Sequence, residues 1–336
     1  MMQYPKIAIP PRSEHLWRYT PWKRIHPTKV EEMPSADVIK FSHGGDSNLD
    51  DSDEIARSFI HSISNVCKSI TLNDASHELD LRCSGHICAG EINLKSTGNS
   101  TLIVRISGDA GWTGIRLSGE VKGYLSIAVI NDLSGDGHLL RCEDWVVGRD
   151  STLEFATLSA GGFLIKSDIR VKLNQNGAEI RGGIASNGHG SRHDDHHIEI
   201  EHSAGHTNSS LVMHAACDGA SHSIGTGLLS ICKGAGGSDA GQVFRNLLLS
   251  EKARAEAIPE LEVLADDVKA AHGAASAPVD VNHIHYLASR GLSRDEASAL
   301  IVEGFLMDAF RHVKSQEVVA ALRTRLLVHL ECLIRG

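Results

Sequence analysis

Proline is missing from the stretch where it would most damage a sheet. Six of the eight prolines lie at or before Pro34, the next is Pro259, and residues 35–258 hold none. Proline donates no backbone hydrogen bond, so a gap of this length suits a chain whose backbone is paired throughout. Aromatic residues are scarce, at 4%. The core must therefore rest on Leu, Ile, Val and Ala, and a sugar-binding cleft built on aromatic platforms is disfavoured. A basic excess is absent: the net charge is −9, which argues against a nucleic-acid partner. No run of 18 apolar residues occurs, so no membrane-spanning helix is expected. The opening MMQYPKIAIPPRSEH lacks the apolar run and small-residue cleavage site of a secretory signal. The seven cysteines contain no CxxC, which reads as reduced thiols in the cytoplasm. Cys83 and Cys88 are near enough to pair or share a metal, but ordinary semi-buried thiols are the simpler reading. No GxxxxGK[ST] loop, GxGxxG fingerprint, GxSxG elbow or HExxH helix is present, so any use of ATP needs another subunit.

What fills the proline-free stretch is a series of short alternating runs, among them Thr101–Ile106, Tyr124–Ile130, Thr152–Leu158, Phe163–Leu173, His196–Glu201 and Ser209–Ala216. Turn clusters such as SGDG, GRDS, NQNGA and CDGAS separate them, and no 3.6-residue period persists. A sandwich of this length would need a linker that is not seen. A stacked solenoid tolerates it, because each coil meets only its neighbours. The expected fold is mainly β: a parallel β-helix (β-solenoid) with a C-terminal α-helical domain and a short N-terminal segment. Expected boundaries are 1–60 for the N-terminal segment, 61–277 for the β-helix and 278–336 for the helical domain. The N-terminal segment is basic and aromatic, then acidic at HGGDSNLDDSDEI, which reads as a flexible linker. In the tail, Ser293 with Glu296 forms a capping box. Ala297, Leu300, Ile301, Phe305, Met307 and Phe310 should form one apolar face, and a second helix should run from about Gln316 to Leu333. These helices suit either a cap over the solenoid's open end or a docking surface. His283 and His285 read as linker residues leading into them.

Two groups could carry chemistry. In Arg192–His206 the histidines and carboxylates are dense, and His193, Asp195 and His197 would share one strand face as an iron or zinc set. A solvated turn or strand edge is the plainer explanation. The second group lies in Arg245–Ala275, where Asp266, Asp267, Lys269 and His272 are close together. His272 is flanked by Ala270, Ala271, Gly273 and Ala274, so another chain could approach it closely. An imidazole's ordinary pKa, roughly 6.5, leaves a nitrogen free to bind a metal near neutral pH. A packed or capping histidine is the plain alternative. A β-helix polysaccharide lyase or hydrolase using Asp194, Asp195 or Asp266 with Asp267, and a stand-alone His/Asp metal protein, are the competing functional readings.

The blocks DHHIEIEHSAGHTNSS, DGASHSIGTGLLSICKGAGGSDAGQVFRNLLLS, PELEVLADDVKAAHGAA and YLASRGLSRDEASALIVEGFLMDAF add a family resemblance. Together with SEHLWRYTPW near the start, they resemble the SufB/SufD family of iron–sulfur cluster assembly scaffolds, on its SufD side. The resemblance is strongest from about Asp195 to Phe310. It implies that the parallel β-helix is right-handed, and that the chain is a non-catalytic scaffold that pairs with a SufB-like subunit and holds a SufC-like ATPase on its C-terminal helices. It implies no permanent cofactor. A transient iron–sulfur cluster or iron would be shared with SufB, and ATP would act only through SufC. No nucleic-acid or membrane partner is implied. The family histidine that faces the nascent cluster maps onto His272. Gly273 stands where the SufB side has a glutamate, and no thiol falls near Ala253, both of which favour SufD. Ala270 occupies a position that is often cysteine in SufD chains, which excludes a thiolate ligand there.

Overall fold

In the computed structural model, residues 4 and 6–335 are described, with side chains through Glu331. A short helix α1 (Trp22–Ile25) precedes three two-residue strands, β1 (Asp37–Val38), β2 (Lys40–Phe41) and β3 (Gly45–Asp46), and helix α2 (Ile55–Ile63). Sixteen longer strands follow. The first eight are β4 (Cys67–Asn73), β5 (Ser76–Cys83), β6 (Ile87–Thr97), β7 (Asn99–Gly108), β8 (Trp112–Val121), β9 (Tyr124–Leu133), β10 (His138–Val147) and β11 (Thr152–Ser159). The rest are β12 (Leu164–Leu173), β13 (Glu179–Gly188), β14 (His193–His202), β15 (Asn208–Cys217), β16 (His222–Ile231), β17 (Asp239–Leu248), β18 (Arg254–Val263) and β19 (Lys269–Pro278). Helices α3 (Val281–Ser289), α4 (Arg294–Met307) and α5 (Gln316–Arg335) complete the chain.

Each long strand pairs in parallel with the strand two further on, so even-numbered strands build one sheet and odd-numbered strands the other. The register is unbroken: Leu139 lies beside Ile165, and Ile165 beside Asp194. The result is a β-solenoid of eight two-strand coils, as the proline gap predicts. Pro259 falls within β18 and Pro278 ends β19, the two edge strands where a missing donor costs least. Coils stack closely at their corners. Gly108, at φ +116°, would place a Cβ 1.9 Å from the carbonyl oxygen of Cys83 in the coil below, so only glycine fits there. Cys83 and Cys88 are buried free thiols, and Cys88 donates to the Ser84 carbonyl at 3.2 Å.

Alternation sorts the side chains. Inward residues such as Leu139, Trp145, Ile165, Val171, Ile184 and Ile198 form a continuous core. The outward faces are covered as well. Trp17, Trp22, Phe59 and Ile60 from the N-terminal segment pack on Ala89, Trp112, Leu140 and Leu164 of the even-numbered sheet. Arg57 of α2 reaches into that face to pair with Asp144 at 2.9 Å and with Asp168. Residues 43–54 are held rather than a free linker: β3 pairs with β4, and Glu54 meets Arg170 at 3.1 Å. Helix α2 itself runs across the boundary expected at residue 60.

The C-terminal helices do not cap the open end. Val302, Leu306, Phe310, Leu322, Leu326 and Leu330 lie along the flank of the odd-numbered sheet, against Ile103, Ile130, Leu158, Ala185 and Val212. The small outward residues Ala128, Ala156 and Ala185 make the shallow trough that admits them. The Ser293–Glu296 capping box forms as expected. The buried face of α4 is Ala297, Val302 and Leu306, whereas Leu300, assigned to it from the sequence, is 48% exposed. His283 and His285 belong to helix α3, whose start is capped by Asp280 accepting from the Asn282 N–H, and not to a linker. At the far end of the solenoid, the two-residue strands β2 and β3 pair antiparallel with parts of β5 and β4. At the near end nothing pairs with the outer edges of β18 and β19 among the described residues.

Candidate functional site

His272 sits on β19, the last strand of its sheet, beside Gln242 of β17. Ala270, two residues earlier on the same strand face, packs against the inner core, so alternation turns His272 toward the lumen side. In an earlier coil such a side chain would be sealed by the next turn. Here no further coil follows, and His272 is exposed. No described residue gives its ring a hydrogen bond or an ion pair. Ala271, Ala274 and Ala275 are exposed beside it, and a Cβ built on Gly273 would meet nothing within 4 Å. The outcome is a bare imidazole on a smooth, small-residue strip with a free backbone edge. Asp266 and Asp267 are not strand neighbours of it. They lie in the corner before β19, where Asp267 adopts φ +54°, and both are exposed.

The histidine-rich tract is instead strand β14, buried along its length. This overturns the expectation of a solvated turn or edge. Inward-facing Asp194 receives Arg192 Nε at 2.6 Å and the Ser159 hydroxyl at 2.8 Å, and His196 lies on the Ser167 hydroxyl. On the outward face, His193 Nε2 is 2.9 Å from the Thr20 hydroxyl, Asp195 is 3.0 Å from Lys166 Nζ, and His197 Nδ1 is 2.8 Å from the Thr226 hydroxyl. Each of the three residues proposed as a metal set is thus bonded to a different partner. Among the described residues, no group of three or more His, Cys, Asp or Glu comes together to hold a metal ion. Burial pushes His193, His197 and His202 down to about 4. Burial alone would raise the Asp194 carboxyl, but the Arg192 guanidinium holds it far below the usual range. Asp194 and Asp195 are each neutralised by a cation, which leaves neither as a free acid or base for polysaccharide chemistry.

The residues that fasten the helical tail were not found from the sequence. Asp132 at the end of β9 binds Arg105 at 3.1 Å, Arg325, and His329 Nε2 at 2.8 Å. Glu154 of β11 accepts from the backbone N–H groups of Lys314 and Ser315 at 2.9 and 3.2 Å, just before α5. His214 of β15 bonds the Phe305 carbonyl at 2.7 Å and stacks on its ring. These partners are some 90 to 200 residues apart in sequence, and no local pattern signals them. Outside this seam the tail presents Val281, Tyr286, Leu300, Leu327 and Val328 to solvent.

Comparison with known proteins matches residues 112–305 to the family described as "SUF system FeS cluster assembly, SufBD core domain". An iron–sulfur cluster assembly SufBD family protein of Mycobacterium leprae is 26% identical over 74% of this chain and 64% of its own length. The iron–sulfur cluster assembly protein SufD of Escherichia coli is 25% identical over 70% of this chain and 58% of its own. The protein of the same name from Bacillus subtilis is 34% identical over 47% of this chain and 36% of its own. The match to the first two therefore spans about six-tenths of those relatives. With more than half of its length inside the core domain and that domain wound as a two-sheet solenoid, the chain belongs to the SufBD family.

Proposed function

We propose that this chain is a SufD-type, non-catalytic scaffold subunit in iron–sulfur cluster assembly, working in the cytoplasm. The observation that supports it most directly is the exposed, unpartnered His272 on an unpaired strand edge. A buried histidine of this fold finds a hydroxyl or carbonyl, as His193, His197, His202 and His214 do. An imidazole kept bare on a strip of alanines is suited to a ligand supplied from outside. Iron is the fitting one, since a borderline cation accepts imidazole nitrogen alongside thiolate. In this reading the edges of β18 and β19 pair with a SufB-like subunit, and iron or a nascent cluster is cargo held between the two. The exposed apolar residues of α3, α4 and α5 serve a SufC-like ATPase, which supplies the nucleotide chemistry that this chain has no phosphate loop to perform. Because Asp132, Glu154 and His214 bolt the tail to the odd-numbered sheet, a pull on the helices would reach the coils that carry His272.

The test is reconstitution of a complex carrying His272→Ala with its SufB-like and SufC-like partners. Elution as an intact complex with iron–sulfur absorbance reduced several-fold is expected. Full absorbance would refute the ligand role, and failure of the wild-type chain to join such partners would refute the scaffold reading.

A further inference from the structure

A second surface feature is independent of His272. Where the coils turn from the odd-numbered to the even-numbered sheet, the corners before β14, β16 and β18 line a cleft of about 570 Å³, bordered on its other side by α1. Its walls carry Arg24, Lys252, Arg254 and the half-buried His222, with His193 forming the buried side. Arg24, Lys252 and Arg254 have no ion-pair partner among the described residues. The acids nearby are already engaged or outnumbered. Glu256 binds His222, Asp195 is held by Lys166, and Glu251 is the one carboxylate in the lining. A chain of net charge −9 therefore concentrates three free cations, from α1, from a corner and from the first residue of β18, around one cavity. Such a concave wall, with three cations against one carboxylate, focuses field lines on an anion.

We infer that this corner cleft binds a small phosphate-bearing molecule, with Arg24 and Arg254 as the guanidinium grips and Lys252 as the point charge. The two guanidinium forks match the geometry of phosphate oxygens, and an ammonium tolerates a mobile one. The hydroxyl of Ser191 adds a neutral donor on the corner before β14. His193, held neutral by burial, shapes the wall without adding charge. The volume falls within the range that encloses small ligands, roughly 300–1,000 Å³. Nothing in this assignment depends on the scaffold reading.

The full-length chain is titrated calorimetrically with inorganic pyrophosphate and, separately, with adenosine monophosphate, at fixed ionic strength. Saturable binding of at least one probe is expected. Tighter binding of pyrophosphate identifies an inorganic phosphate, and tighter binding of the nucleotide an organic one. Arg24→Ala and Arg254→Ala should each weaken binding about tenfold, the loss that removal of one charge-assisted grip brings. Glu251→Gln should tighten it several-fold by removing the opposing charge. Because these side chains are exposed and Arg24 and Arg254 are unpaired, the variants should keep the wild-type circular dichroism. No saturable binding of either probe at about 1 mM, a concentration that would miss only sites weaker than about −4 kcal/mol, would overturn the assignment. So would wild-type affinity in an Arg24→Ala/Arg254→Ala double variant, or an unchanged affinity in Glu251→Gln.

Discussion

His193, His197 and His202 are proton-linked struts of the solenoid. Burial lowers each from an ordinary value near 6.5 to about 4. The folded chain therefore binds fewer protons than the unfolded chain between these values, and stability rises with pH across the window. Their contribution is complete above roughly pH 6.5 and is lost as pH falls toward about 4. Each group adds a slope of at most about 1.4 kcal/mol per pH unit there. Urea midpoints should fall steeply from pH 7 to pH 4.5. His202, which lies between the Thr207 and Ser209 hydroxyls at 2.8 Å each, gives the sharpest check. His202→Gln should be less stable at pH 7 but have a flatter pH profile, and an unchanged slope would show that this ring does not carry the effect.

At the scale of elements, the tail depends on a few contacts with the flank of the sheet. Asp132→Ala would strip Arg325 and His329 of their shared carboxylate, a loss of about 1–3 kcal/mol given the partial exposure of both partners. Hydrogen exchange should quicken in α5 and leave the strands unaffected; uniform protection would mean that the carboxylate does not tie the helix down. Gly183 gives a steric counterpart, since a Cβ there would lie 2.5 Å from the Ala309 carbonyl oxygen, so Gly183→Val should lift the Asp308–Phe310 turn from β13. The strands were legible in the sequence because period-two runs between glycine-rich corners record a local property. The flank position of the helices was not. Outward Ala128, Ala156 and Ala185 look like any small residues until the coils align them into a trough. Helix α3 was missed because VNHIHY has weak helical preference, and its start depends on one Asp280 cap. The tract at His193–His202 was misjudged for a related reason. Polar composition suggests water, but Thr20, Lys166 and Thr226, each distant in sequence, supply the partners that let β14 be buried.

For the molecule as a whole, the solenoid has two apolar outer faces, each covered by a terminal segment. Both sheets are therefore covered on their outer faces, the odd-numbered one by apolar helices and the even-numbered one by an apolar cluster together with buried ion pairs. Removing residues 279–336 should expose Ile103, Ile130, Leu158 and Val212 together, a patch larger than a monomer tolerates in water. The shortened chain should scatter light and bind an apolar dye at concentrations where the full chain does neither. A monodisperse product would mean that the strands stand without their cover.

The two tips of the stack are unlike. The two-residue strands β2 and β3 lie across parts of β5 and β4, whereas β18 and β19 present ten-residue edges that nothing pairs with among the described residues. Strand addition should therefore start far more readily at one tip than at the other, which gives the rod a direction.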